Sequence, residues 1–364
     1  MNLEDKKIAI LSITNNGREL ALKIKEIMKN VDVFFIKKDT DYKSDEVTVV
    51  NQGLKEFIPQ IFDKYEYLVF IMATGIVVRT IAPLVMSKFS DPAILVMDEK
   101  GNNIISLLSG HMGGANEMTL YMSDLINSHP VITTATDVNK KSSLDMIAKK
   151  LNGHIDDFRD NVLKINSMLV NNEEVHLYID GNYKINHNGF TLYNEETDLN
   201  KVKNLVIVTN KENINEMFNK SNEFKNLNSK TIKVIPKDIV IGVGCKKNTD
   251  SKHMKNSLIK FLAEYNIDIN AVKEIGSIEI KKDEKAIIDL AKYLNVPFKT
   301  FSVKEISKVD YLYEKSDWVK KNVGVYSVSD PVAHLLSEGR VIINKQKYDG
   351  ITFSIGRIDI WYTL

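Results

Sequence analysis

A histidine inside a glycine-rich loop is the residue of this sequence best suited to chemistry. Residues 109–116, SGHMGGAN, follow an apolar run. Glycine lets backbone approach a ligand closely, and amides at a helix start attract carboxylate or phosphate. We predict that His111 moves protons, because histidine changes charge near neutral pH. The predicted ligand contacts of this loop are Ser109, Gly110, Gly113, Gly114 and Asn116. The alternative is a tight strand-to-helix turn whose histidine bonds only to backbone.

Two further loops repeat the arrangement of small residues after an apolar run. Thr74 and Gly75 precede Arg79 by about one helical turn, where its guanidinium could pair with a carboxylate or form a surface ion pair instead. Residues 133–137, TTATD, offer hydroxyls and a carboxylate at a strand end. The predicted contacts there are Thr134, Thr136 and Asp137, although Asp137 also suits a helix cap.

Carboxylates supply the reserve candidates for a general base. Asp98 and Glu99 form a two-acid turn, and Glu117 follows the glycine loop. A carboxylate within reach of water can act as a base. Turns also favour Asp with Gly for conformational reasons alone, so Asp98 has an equally simple structural explanation. We rank Asp98 and Glu117 behind His111.

A third glycine loop lies near the end of the chain. Residues 242–248, GVGCKKN, begin like a dinucleotide fingerprint but lack its third glycine, and they suit an anion loop better than an NAD site. Cys245 has no histidine nearby in sequence, which favours a spectator thiol. Ser277, Lys281 and Glu284 follow a later apolar run and either face a pocket or form a charged helix start.

The elements that must position these loops form an α/β fold. Short apolar runs alternate with helical patterns, which indicates mostly parallel, buried sheets flanked by helices. Residues 92–97 and 103–108 are joined by a tight turn and should pair antiparallel, so the sheet is mixed. We predict two α/β domains, 1–150 and 238–364, joined by a small variable middle domain, 151–237. A helix over 142–151 closes the first, and Gly181 and Gly189 mark hairpin-like turns in the middle one.

Composition excludes several classes of protein. The chain has 364 residues with 49 basic and 48 acidic side chains, a balance that favours neither nucleic-acid nor membrane binding. One cysteine precludes an intrachain disulfide and suits a reducing compartment. The start of the chain lacks a secretory signal pattern, and no apolar run approaches the roughly 20 residues of a membrane helix. Seven histidines without ligand spacing predict no protein-bound metal. We expect a cytoplasmic protein.

With these motifs in view, the chain resembles the cobalt-precorrin-5A hydrolase family (CbiG-type) of anaerobic cobalamin biosynthesis. The resemblance runs through GIVVRTIAPL, DPAILVMDEKG, ISLLSGHMGGAN and PVITTATDVN, residues 75–139. In the last domain it rests on GVGCKKN, Ser277, Lys281, Asp283 with Glu284, SVSDPVAHL, and Lys345 ahead of ITFSIGRI. Asp330 stands where relatives often carry Glu.

The resemblance implies an enzyme that opens the δ-lactone of cobalt-precorrin-5A and releases acetaldehyde, giving cobalt-precorrin-5B. Cobalt is carried by the substrate, so no cofactor is implied. The partners are a cobalt-corrinoid and, by pathway, neighbouring cobalamin enzymes. The implied substrate contacts in the last domain are Gly244, Lys246, Lys247, Ser277, Lys281 and Asp330. We predict a cleft between the end domains, roofed by loops 73–75, 109–114, 133–137 and 244–248. The alternatives are a non-catalytic corrinoid carrier and, less favoured because a Walker lysine-serine pair is absent, a nucleotide-dependent enzyme.

Overall fold

The described residues form three β-sheets, each with flanking helices. The computed structural model describes residues 6–38, 40–87, 90–194, 197, 202–214 and 231–360. The chain divides into two compact units between Lys141 and Ser142. Among the described residues no helix is long and apolar enough to cross a membrane.

The first unit is a seven-stranded sheet between two layers of helices. Its strands are β1 (Ile8–Ser12), β2 (Val31–Ile36), β3 (Val47–Val50), β4 (Tyr67–Ile71), β5 (Ala93–Met97), β6 (Asn103–Leu108) and β7 (His129–Val131). Its helices are α1 (Asn15–Ile27), α2 (Leu54–Ile61), α3 (Thr74–Ile81), α4 (Ala115–Ile126) and α5 (Ala135–Val138). Every residue of β1, β4 and β5 is buried, because α1 and α4 cover one face and α2 and α3 the other.

Strand direction in this sheet changes at β6. The order is β3-β2-β1-β4-β5-β6-β7, and β1 to β5 are parallel. β6 pairs antiparallel with β5, and β7 is parallel to β6. The predicted mixed α/β sheet is confirmed.

The second unit contains two sheets. The helices are α6 (Leu144–Lys150), α7 (Phe158–Val170), α8 (Ser251–Glu264), α9 (Lys285–Leu294), α10 (Val303–Ile306), α11 (Asp317–Val323) and α12 (Ser329–Leu336). The strands are β8 (His176–Ile179), β9 (Thr191–Leu192), β10 (Leu205–Val208), β11 (Thr231–Val234), β12 (Ile239–Cys245), β13 (Val272–Ile278), β14 (Phe298–Phe301), β15 (Val341–Tyr348) and β16 (Ile351–Arg357). The sheet orders are β11-β10-β8-β9 and β14-β13-β12-β16-β15.

Two local predictions for the middle of the chain are wrong. β8 and β9 pair in parallel, so Gly181 and Gly189 do not join a hairpin. Helix α6 does not close the first domain, because Leu144 and Ile147 pack with Val162 and Leu177 in the core of the middle sheet. The three sheets nevertheless fall in the three predicted segments. The domain boundaries at 150 and 237 stay predictions.

The glycines of the last sheet serve packing. A Cβ at Gly242 would lie 1.9 Å from the carbonyl oxygen of Ser329, because α12 crosses β12 at this point. A Cβ at Gly276, on the adjacent strand, would lie 2.8 Å from Cγ1 of Val332 in the same helix. The dinucleotide-like GVG segment is therefore explained by close approach of a helix to a strand.

Candidate functional site

Strand direction places the predicted site residues of the first unit at opposite edges of its sheet. Leu108 of β6 pairs with Ile94, so the chain leaves β6 where β5 begins. β7 runs parallel to β6 and ends level with Ile105, and the 133–137 segment continues from there to His111. The 73–75 loop leaves β4 at the other edge, where β5 ends. Five-residue strands set the two edges roughly 15 Å apart. Loops 73–75 and 109–114 therefore leave opposite edges of the sheet, and a crevice shared by loops 73–75, 109–114 and 133–137 stays a prediction.

We call residues 109–116 with 134–137 the histidine edge. Its central feature is a pair between His111 and Asp137, with Nε2 of the ring 2.6 Å from Oδ2 and 3.0 Å from Oγ1 of Thr136. The imidazole is 16% exposed and the carboxylate 40%, so a ligand can reach the pair. An ionised carboxylate only accepts hydrogen bonds, so Nε2 carries the proton that lies between His111 and Asp137. In the neutral form of such a ring, Nδ1 is the basic nitrogen.

Behind this pair lies the amide of Asn116, which is only 5% exposed. Its Nδ2 donates to Oδ2 of Asp137 at 2.8 Å and to Oγ1 of Thr134 at 3.1 Å. Its Oδ1 accepts from Oγ of Ser106 at 2.5 Å. The structure thus brings together the predicted residues of two separate loops, and it adds Ser106.

The glycines of the histidine edge are required for space. A Cβ at Gly110 would lie 2.7 Å from Oδ1 of Asn116, and one at Gly113 would lie 2.8 Å from the carbonyl oxygen of Ser109. Gly114 has a φ of 86° at the start of α4, a conformation that side chains disfavour. The loop is therefore a tight strand-to-helix turn that also carries the histidine pair.

Two residues beside the pair do not fit their predicted roles as a substrate contact and a reserve base. Ser109 is 7% exposed and its hydroxyl donates to the carbonyl oxygen of Asp91 at 3.1 Å, so its predicted substrate contact is wrong. Glu117 is exposed on α4. Burial and the nearby Glu117 charge together raise the pKa of Tyr67. Glu117 takes no part in the hydrogen bonds described around His111, and its reserve role stays a prediction.

We call residues 13–16, 72–79 and 98–99 the switch edge. It holds an open cleft of about 550 Å³, lined mainly by apolar side chains such as Ile13, Met72 and Ile76. The cleft lies where the strand order reverses, because β1 leads to β2 on one side and β4 leads to β5 on the other. Ligands of α/β proteins commonly bind at such reversal points, beyond the carboxyl ends of the strands.

The start of α3 gives this cleft a positive end. Thr74 begins the helix, and Ala73 before it provides no side-chain cap. The guanidinium of Arg79 folds back over the first turn, with Nη1 3.4 Å from where a Cβ of Gly75 would lie. Helix amides and a guanidinium both favour a carboxylate, so the predicted grip by Thr74, Gly75 and Arg79 suits this edge.

Glu99 is a residue of this edge that sequence reasoning ranked too low. Its carboxylate accepts from Oγ1 of Thr14 at 2.8 Å and from Nδ2 of Asn16 at 3.3 Å. Thr14 also caps α1 by accepting from the backbone N–H of Gly17. Threonine between a buried strand and a helix is a helix-cap signal. This signal at Thr14 was the sequence feature that could have indicated the contact with Glu99.

Asp98 organises its turn. It accepts hydrogen bonds from the backbone N–H groups of Lys100, Asn102 and Asn103, and from the side chain of Asn103. Burial raises the pKa of Asp98, but these donors outweigh it and hold that pKa below its ordinary value. A carboxylate stabilised in this way is a poor base, so the structural explanation of Asp98 prevails over the catalytic one.

In the second unit, the loop after β12 binds a carboxylate of the protein itself, the side chain of Glu284. The Glu284 carboxylate accepts from the backbone N–H groups of Asn248 and Thr249, at 3.4 and 3.2 Å. It also pairs with Nζ of Lys281 at 2.9 Å. Lys281 is therefore engaged internally. Lys246 and Lys247 are exposed, and their role as anion contacts stays a prediction.

Two predicted contacts of this unit lie inside the fold. Ser277 is fully buried and donates to the carbonyl oxygen of Val243 at 2.7 Å. Asp330 is 2% exposed and accepts from the Lys345 backbone N–H and the Ser354 hydroxyl, at 2.6 and 2.7 Å. Neither side chain can reach a ligand, so these two substrate contacts are wrong.

Gly244 and Cys245 also have structural explanations. A Cβ at Gly244 would lie 2.5 Å from Oγ1 of Thr352 on the neighbouring strand, so this position needs glycine for space. Burial raises the pKa of the Cys245 thiol, a shift that the nearby Lys281 charge opposes. A protonated, half-buried thiol is a weak nucleophile, in keeping with a spectator role. Within the described part of the chain, no cluster of three or more His, Cys, Asp or Glu side chains could hold a metal ion.

Comparison with known proteins covers most of the chain. Three family models match it: "Cobalamin synthesis G N-terminal" at residues 56–137, "Cobalamin biosynthesis central region" at 142–216 and "Cobalamin synthesis G C-terminus" at 239–356. A cobalt-precorrin-5A hydrolase of Salmonella typhimurium is 38% identical over 309 residues, 84% of this chain and 85% of the relative. One of Priestia megaterium is 30% identical over 361 residues, 96% and 94% of the two chains.

A crystal structure of a cobalamin biosynthesis protein G homolog from Sulfolobus solfataricus is 23% identical, with a TM-score of 0.41, and covers 99% of this chain and 100% of its own. The level and extent of the sequence matches decide the assignment. The protein belongs to the cobalamin synthesis G family, the cobalt-precorrin-5A hydrolase family that its sequence motifs resemble.

Proposed function

We infer that this protein is a cobalt-precorrin-5A hydrolase of anaerobic cobalamin biosynthesis. The observation that carries the inference is the similarity to two hydrolases of that name over 84% and 96% of the chain. The family reaction opens the δ-lactone of the corrinoid with water, releases the extruded carbon and its methyl group as acetaldehyde, and leaves cobalt-precorrin-5B. Cobalt enters and leaves with the substrate, and we place the reaction in the cytoplasm.

For the chemistry we propose the histidine edge. Nδ1 of His111 takes a proton from water as the oxygen attacks the lactone carbonyl, and Asp137 at 2.6 Å from Nε2 stabilises the imidazolium that forms. The ring then opens as the acyl C–O bond breaks and the departing oxygen takes up a proton. Removal of a hydroxyl proton lets the adjacent C–C bond break, so that acetaldehyde leaves and the electron pair of the broken bond passes into the conjugated macrocycle. One histidine with a fixed partner can serve each proton transfer in turn.

For substrate carboxylates we propose the groups with free access. The corrinoid carries several acetate and propionate arms, and amides at a helix start or cationic side chains suit them. Thr74, Gly75 and Arg79 provide such a subsite at the switch edge, and Lys246 with Lys247 provides a second in the other unit.

The test is acetaldehyde release from authentic cobalt-precorrin-5A, followed by a coupled alcohol dehydrogenase. His111→Gln should lower kcat by about 100-fold or more, the usual contribution of a general base. His129→Gln, an exposed histidine of the same unit, is the matched control and should retain activity. Near-normal release by His111→Gln would reject the role of His111 while leaving the hydrolase assignment intact.

A carrier that only binds the intermediate would use the same carboxylate contacts. If the protein were such a carrier, the wild type would bind the corrinoid but would release no acetaldehyde from it. That outcome would reject the hydrolase assignment.

A further inference from the structure

The amide of Asn116 is committed to internal partners. It is 5% exposed, and both its functional groups are used: Oδ1 accepts from Ser106, while Nδ2 donates to Thr134 and Asp137. The carboxylate fixes which way the amide points, because it can only accept. A buried amide whose donor and acceptor are both in use cannot form a hydrogen bond with a substrate. The predicted substrate contact at Asn116 is therefore wrong.

The backbone around Asn116 holds the amide against the histidine loop. Its backbone N–H donates to the carbonyl oxygen of Gly110 at 3.0 Å. Any side chain at Gly110 would meet the amide oxygen at 2.7 Å, so glycine there gives the amide its place. Asn116 is thus tied to the loop that carries His111 at one end and to Asp137 at the other.

Oδ2 of Asp137 accepts hydrogen bonds from both Asn116 and His111. Nδ2 of Asn116 lies 2.8 Å from Oδ2, and Nε2 of His111 lies 2.6 Å from it. Asp137 is 40% exposed, so without the amide its carboxylate is able to rotate towards water. Rotation would remove the charged acceptor of the Nε2 proton and leave the weaker hydroxyl acceptor of Thr136 at 3.0 Å.

We propose that Asn116 is a positioning residue that, through Asp137, sets the tautomer and orientation of His111. The proposal rests on the proposed function for its effect on catalysis, but its effect on the imidazole is independent of catalysis. Ser106 extends the chain by one hydrogen bond, and its removal should have a smaller effect in the same direction.

The first experiment reads the imidazole of the free full-length protein. Two-dimensional ¹H–¹⁵N spectra of the histidine side chains, with His111 assigned by its loss in His111→Gln, should show the Nε2-protonated tautomer in the wild type. Asn116→Leu, which keeps the volume but cannot donate, should give a mixture of the two neutral tautomers. Ser106→Ala should shift the spectrum less and disturbs the fold less. Asn139→Ala is the matched control, since this exposed side-chain amide donates, among the described residues, to the carbonyl oxygen of Ala135.

The second experiment reads the reaction. Asn116→Leu should lower kcat by about 10- to 100-fold, as loss of a group that orients a catalytic ligand commonly does, with KM changed less than about twofold. The acid limb of the kcat–pH profile should move as well. An unchanged His111 tautomer in both Asn116→Leu and Ser106→Ala, or a raised KM with unchanged kcat, would overturn the proposal. If the His111 tautomer shifts in Asn116→Leu while His111→Gln remains active, the positioning role of Asn116 is supported and catalysis by His111 is rejected. Failure of one proposal is therefore distinguishable from failure of the other.

Discussion

The two edges of the first sheet differ in how their polar groups are used. At the histidine edge the side chains bond to one another, and glycines at 110 and 113 leave no spare room. At the switch edge an open, mainly apolar cleft of about 550 Å³ ends at an uncapped helix start. The first arrangement favours fixed geometry and proton transfer, and the second favours holding part of a ligand. One antiparallel strand separates them, because β6 reverses the direction in which the following loops leave the sheet.

The largest effect should distinguish chemistry from binding. His111→Gln should reduce kcat about 100-fold or more with little change in KM, because the proton acceptor is lost. Arg79→Gln should raise KM about tenfold with kcat nearly constant, because a charged hydrogen bond to a carboxylate contributes about 1.5–3 kcal/mol. Steady-state acetaldehyde release measures both. If Arg79→Gln lowers kcat as strongly as His111→Gln, the two edges do not divide the work.

A pair of glycine substitutions tests the difference in packing. Gly113→Ala should lower stability by about 1–3 kcal/mol, because the new methyl group meets the Ser109 carbonyl oxygen at 2.8 Å. Gly75→Ala is the matched control at the switch edge. Its methyl group meets only the flexible end of Arg79 at 3.4 Å, and alanine favours a helix, so stability should hold or rise by up to about 1 kcal/mol. Calorimetric unfolding midpoints measure both, and equal losses would contradict the comparison.

Sequence patterns predicted the elements of this fold better than its edges. Buried runs such as β1, β4 and β5 carry a strong apolar signal, and the tight turn near Gly101 correctly predicted an antiparallel pair. The sequence did not predict at which edge of the sheet the loops after β6 and β7 leave. The direction of β7 depends on long-range strand pairing, which a local sequence pattern does not encode. Ser277 and Asp330 were misassigned for a related reason. Each buried polar side chain forms a hydrogen bond with a backbone group of another element. The residues next to it in sequence carry no pattern that predicts such a bond.

Double substitutions measure whether the edges act independently. Asn116→Leu and Glu99→Gln lie at different edges, so the activation free-energy changes calculated from kcat/KM should add to within about 0.5 kcal/mol. Asn116→Leu and Asp137→Asn share one carboxylate oxygen, so the second substitution should cost much less once the first is present. Coupling across the edges larger than that within the histidine edge would show that the sheet transmits strain between them.

The smallest effect concerns Asp98, whose carboxylate orders the turn at the switch edge. Its folded pKa lies below the ordinary value of 3.8, so it stabilises the folded state above that pH, and the contribution is lost as pH falls through the folded pKa. Asp98→Asn should therefore unfold at a lower temperature than wild type between about pH 5 and 7. The gap should narrow below pH 3.8. Asp124→Asn, an exposed carboxylate on α4, serves as the control and should show no such convergence. A gap of constant size down to acid pH would mean that the amide disturbs the turn by its shape, and the carboxylate charge would then have no part in ordering this edge.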